Sequence, residues 1–150
     1  MSGSAVPAAL ADLAELARSV APAGVSVSDG PPVRTGALDV VCIGYSGALD
    51  QPGVGAVQAV STYGLANSSE SCDISNLVSC TRAVNDIPAV RARAFDIFDR
   101  IAAALVVDRT LGQTVGLATI TNWDYVPAFV EKGTAVDITF TVHLEAWRKT

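Results

Sequence analysis

Charge is scarce in this chain. Asp, Glu, Lys and Arg together make up 17% of its 150 residues, against about 25% in an average soluble domain. So lean a surface points to faces that are covered by other chains, or to a domain simply rich in Ala, Val, Gly, Ser and Thr. Positive charge is scarcer still, with 10 Lys and Arg against 15 Asp and Glu, a net charge of -5. Gripping nucleic acid relies on Lys and Arg neutralising phosphates, and Arg34, Arg82, Arg91, Arg93, Arg100, Arg109, Lys132, Arg148 and Lys149 are scattered rather than gathered in a stripe. There is one histidine, and three cysteines without a Cys-x-x-Cys, which argues against zinc. Cys42, Cys72 and Cys80 fall in strand-like stretches, and Cys72 and Cys80 would lie ~26 Å apart in a straight strand, too far to bond. Buried, reduced thiols are expected.

Long apolar runs are also missing. The most apolar helical stretch, Ile97 to Val107, is interrupted by Asp99 and Arg100 and falls short of the roughly 20 residues that span a bilayer. The N-terminus has neither the basic start nor the apolar run of a secretory signal. Folding in the cytoplasm, with no membrane partner, is the expectation.

What is present suits one domain over residues 1–150. Half the residues are apolar, enough for one core at a common domain size of ~100–150 residues. Val6, Leu10, Leu13, Leu16, Ala17 and Val20 recur at helical spacing, so Ala5 to Val20 is predicted to be a helix capped by Ser4. Strands are predicted over Gly24–Ser28, Asp39–Gly44, Ala56–Thr62 and Ser69–Arg82. The second, with Val40-Val41-Cys42-Ile43, is apolar without alternation and should be covered on both faces. Asn85-Asp86 should cap a second helix from about Ile87 to Val107, with Pro88 in its first turn. Strands follow at Gln113–Trp123 and Thr134–Arg148, joined by a loop from Asp124 to Gly133. In the last strand Val136, Ile138, Phe140, Val142, Leu144 and Ala146 alternate with polar residues. Strands in runs divided by a helix predict an α+β fold: a mixed, mainly antiparallel sheet with two main helices on one face.

No motif for catalysis emerges. Gly44-Tyr45-Ser46-Gly47-Ala48 misplaces the last glycine of a nucleophile elbow and starts no helix. His143, mid-strand and two residues from Glu145, reads as a sheet-face histidine rather than a base. Asp96 and Asp99 read as a solvated helix face, and Gly53-x-Gly55 lacks the rest of a dinucleotide loop. The expected catalytic, cofactor and metal residues are therefore none. The aromatics Trp123, Tyr125, Phe129 and Trp147 gather late in the chain. They fit interface anchors or caps on the ends of the core.

Four stretches carry a resemblance: the first helix leading into Gly24-Val-Ser-Val-Ser-Asp-Gly-Pro-Pro32, then Asp39-Val-Val-Cys-Ile-Gly-Tyr45, then Val107-Asp-Arg-Thr-Leu-Gly-Gln-Thr-Val115, and the closing Asp137-Ile-Thr-Phe-Thr-Val-His-Leu-Glu-Ala-Trp-Arg148. In element order and length nearly the whole chain resembles the tail terminator proteins of long-tailed bacteriophages, especially phages of high-GC bacteria. The resemblance implies a structural virion protein without enzymatic activity or cofactor, folded in the host cytoplasm and placed at the tail–neck junction. It would form a homohexameric ring on the head-proximal end of the tail tube, stop polymerisation of the tube protein, and offer a surface to the head–tail connector. Genome DNA would pass through the channel without specific binding. The family fixes no interface residue by motif; those expected here are Trp123, Tyr125, Phe129, Glu131, Trp147 and Arg148. Three alternatives stay open: a head–tail connector or stopper of the neck, a small hydrolase built on Ser46 and His143, and a small-ligand binding module.

Overall fold

A computed structural model describes residues 4–32, 38–47, 53–60, 67–130 and 133–149. The elements run α1 (Val6–Val20), β1 (Val25–Asp29), β2 (Asp39–Ile43), β3 (Val54–Val60), β4 (Asn67–Arg82), α2 (Ile87–Val107), β5 (Leu117–Val130) and β6 (Gly133–Lys149). The six strands form one sheet in the order β1-β2-β4-β6-β5, with β3 pairing on β4 beside that path. Among the described residues β1 and β2 pair in parallel and the other pairs are antiparallel. α1 packs on β1 and β2, and α2 on β4, β6 and β5. The fold is α+β, as the order of elements predicts.

The core lies between the helices and one face of the sheet. Cys72, Ile74, Val78 and Cys80 of β4 and Val136, Ile138, Phe140, Val142 and Leu144 of β6 point into it at period two. Val90, Ala94, Ile97, Phe98, Ile101 and Leu105 of α2 meet them at helical spacing. Burying one such Val, Leu, Ile or Phe contributes about 1.5–3 kcal/mol. Asp86 caps α2 by accepting a hydrogen bond from the Ala89 amide at 3.2 Å.

α1 starts differently from the expectation. Its N-cap is Ala5, which makes no side-chain cap, while the Ser4 hydroxyl, one residue earlier, accepts the Val6 amide at 3.0 Å. Glu70 of β4 accepts the Ala5 amide at 2.8 Å and the Ser4 hydroxyl at 2.7 Å. A carboxylate brought from the sheet thus satisfies donors that the first turn leaves open. Small Ala9, Ala14 and Ala17 around Leu13 form the buried face and let the helix approach the sheet closely.

β4 is long because it serves three neighbours. Residues 76–80 pair with β2, residues 68–74 with β3, and the whole strand with β6. At the junction of β2 and β3 sits Asn76, fully buried on the core face. Its Oδ1 accepts the Gly44 amide at 3.1 Å, and its Nδ2 donates to the carbonyls of Ile74 at 3.0 Å and Phe140 at 3.3 Å. The polar break in the apolar side of β4 therefore supplies hydrogen bonds where the ladder changes partner. On the opposite face Leu77 lies beside Cys42 and beneath Gly47, so β2 is covered on both faces as its composition predicts.

β3 begins at Val54, two residues before the expected start, and runs through Val60; residues 61 and 62 of the expected strand lie outside the described residues. β4 begins at Asn67, two residues before the expected Ser69. Gly53 sits at a close backbone approach. A Cβ there would stand 1.8 Å from the Gly44 carbonyl oxygen, while the Gly53 carbonyl accepts the Ser75 amide at 2.8 Å. Gly53→Ala is expected to cost about 1–3 kcal/mol through forced backbone displacement. Gly55→Ala, with open space around its Cβ, serves as the control. Equal denaturation midpoints for the two variants would remove the close approach from this account.

The main correction concerns residues 113–133. The strand begins at Leu117, not Gln113, and the expected loop from Asp124 is strand through Val130. A tight turn, with Leu111 (φ 50°), Gly112 (φ 69°) and Gln113 (φ 71°) left-handed, fills the space after α2. Asp108 holds it by accepting the Thr110 and Gly112 amides. Asp124 and Pro127 read as strand breakers in sequence, yet an edge strand tolerates proline, and β6 supplies β5 with pairing from Leu117 to Val130.

Candidate interaction surface

β5 is one edge of the sheet. At fourteen residues it is ~46 Å long, whereas the strands on the opposite side, β1 and β3, have five and seven residues. Its register against β6 places Trp123, Tyr125 and Phe129 opposite Phe140, Ile138 and Thr134, hence on the helix side, and Val126 opposite Asp137 on the open face. Three of the six expected interface residues thus share one side of one strand.

They are not equivalent. Trp123 lies 5.6 Å from Phe95 and 6.0 Å from Phe98 between ring centroids, and Tyr125 lies 5.6 Å from Phe95. Both close the margin of the core along α2, which is the end-cap role. Trp123 nonetheless keeps 50% of its surface exposed, and Phe129, farther along, keeps 70%; Val126 on the other face keeps 55%. Sequence reasoning missed Val126, because nothing distinguishes it until the strand is known to be an edge. Glu131 lies outside the described residues. Trp147 and Arg148 continue the backbone of β6 opposite Ser69 and Ser68, on the far side of β6 from β5.

Edges of this length are aggregation templates unless blunted. β5 carries two blunting features: a register shift between Ile120 and Asn122, and Pro127, which has no amide to donate. A stray strand therefore finds an interrupted ladder, while the apolar side chains on both faces stay available. That combination favours a partner shaped to the side chains over indiscriminate strand addition.

The open face of the sheet is polar. Asp73, Asp124, Asp137 and Glu145 lie on it with His143. Nδ1–H of His143 donates to the Asp73 carboxylate at 2.8 Å, and Nε2 lies 3.5 Å from Glu145. The hydrogen bond to Asp73 and the nearby Glu145 raise the imidazole pKa above its usual value, outweighing slight desolvation. Ser46 instead lines a cleft of about 220 Å³ with Ser75, Asn122, Asp124, Thr139 and Thr141. Both nitrogens of His143 face carboxylates, so the arrangement a Ser46–His143 hydrolase needs, imidazole on hydroxyl, is not formed.

A group whose pKa is raised on folding adds stability below its unfolded pKa, near 6.5, and loses it as pH rises through the folded value. With exposed partners the contribution is under about 1 kcal/mol. As the chain has one histidine, its imidazole resonance in NMR is unambiguous. The titration midpoint is expected above 6.5 and should fall back in Asp73→Asn; a midpoint at or below 6.5 in the parent protein would contradict the contact.

Cys42, Cys72 and Cys80 are free and buried. Burial pushes their thiols up to about 11, about 11 and about 12, far from the thiolate range of a nucleophile. Among the described residues no group of three or more His, Cys, Asp or Glu is placed to hold a metal ion, and no described helix is long and apolar enough to cross a membrane. No protein-family model matches the chain, and no curated protein matches it.

Proposed function

We propose that this chain is a structural virion protein of the tail-terminator kind, a ring subunit that caps the head-proximal end of a phage tail tube and presents a surface for head attachment. The supporting observation is β5: a long, blunted edge strand with Trp123, Val126 and Phe129 exposed on its two faces. Exposed aromatics on a rigid element make efficient interface anchors. A ring needs a head-to-tail contact between two different patches of the same subunit; the sheet offers unlike edges, β5 on one side and the shorter β1 and β3 on the other. The resemblance supplies the number of copies, six, and the partners, tube protein and connector. The acidic open face suits the passage of DNA without adhesion, since like charges repel.

A stop codon in this reading frame of the parent phage, followed by negative-stain electron microscopy of the lysate, tests the proposal. Tubes of uncontrolled length, detached from filled heads, are expected. Tails of normal length that fail to join heads would replace the terminator by a connector of the neck. Normal infectious particles would end both readings.

A further inference from the structure

We draw no further inference here: the strongest candidate, the exposed apolar strip of Trp123, Val126 and Phe129 along the free edge of β5, belongs to the surface already proposed for assembly, and nothing in the structure shows which chain covers it.

Discussion

Asp39→Ala is expected to destabilise the protein by about 3 kcal/mol, the lower end of the cost of breaking a buried ion pair. The Asp39 side chain is 6% exposed, whereas those of Arg82 and Arg93 are 31% and 28% exposed, which places the loss at that lower end. Arg82 makes a bidentate contact with it at 2.6 and 2.9 Å, and Arg93 donates at 3.0 Å while also reaching the Ala23 carbonyl at 2.9 Å. One carboxylate thus ties the start of β2 to the end of β4, to α2 and to the α1–β1 connection. Burial, the largest single influence, would raise its pKa; the two guanidiniums together outweigh it and hold the pKa below the usual carboxylate value. A lowered folded pKa means that the stabilisation is complete above the unfolded pKa, near 3.9, and is lost as pH falls through the folded value. Urea denaturation at pH 7 should show the full difference between parent and variant, and the two should converge in strong acid. A difference below about 1 kcal/mol at pH 7 would reduce the cluster to the worth of a surface pair.

That cluster was invisible in the sequence. Arg82 and Arg93 stand 43 and 54 positions from Asp39, and no local pattern links them; the one trace is a carboxylate heading the apolar run Val40–Ile43. Elements whose signal is local were legible. α2 announces itself by its cap, its first-turn proline and its apolar stripe, and β6 by strict alternation. β4 was legible too: Cys72, Ile74, Val78 and Cys80 alternate with polar residues, and the alternation breaks at Asn76 and Leu77. Both acquire a reason once β2 and β3 are seen to meet end to end along β4: Asn76 bonds the junction, and Leu77 covers Cys42. Strand order and the parallel pairing of β1 with β2 depend on contacts far apart in sequence, which period alone does not encode.

The candidate surface was half legible. The late cluster of aromatics is visible in the sequence, but beyond Trp123 the local signals favour a loop over the strand that carries it. The signal was there: Trp123, Tyr125 and Phe129 hold one parity across Pro127, as residues on one face of a strand do. Proline and aspartate outweighed it because they disfavour interior strands, and the sequence does not say which strand is the edge. Exposure then divides the aromatics in a way that composition could not, with Tyr125 half-buried on Phe95 and Phe129 mostly in solvent.

That division makes Phe129→Glu the variant that separates assembly from folding. At 70% exposure the change should shift stability by no more than about 0.5 kcal/mol, so circular dichroism and melting temperature should match the parent. Assembly should suffer far more. Losing an aromatic anchor costs about 2 kcal/mol or more, at least ~30-fold in affinity, and a carboxylate forced into the same apolar contact adds its desolvation. Trp123→Glu is less clean, because Trp123 also rests on Phe95 and Phe98. Val142→Arg gives the opposite control: the site is fully buried, and an unpaired charge there should abolish folding. Tube capping by purified protein, counted by negative-stain microscopy alongside sedimentation of the variant alone, gives the readout. A folded Phe129→Glu protein that capped tubes normally would remove β5 from the interface. A folded variant that failed to cap would leave Val126→Glu to decide how far the partner reaches: loss of capping there as well means a partner that wraps both faces of the strand, and retention means one that sits only on the helix side.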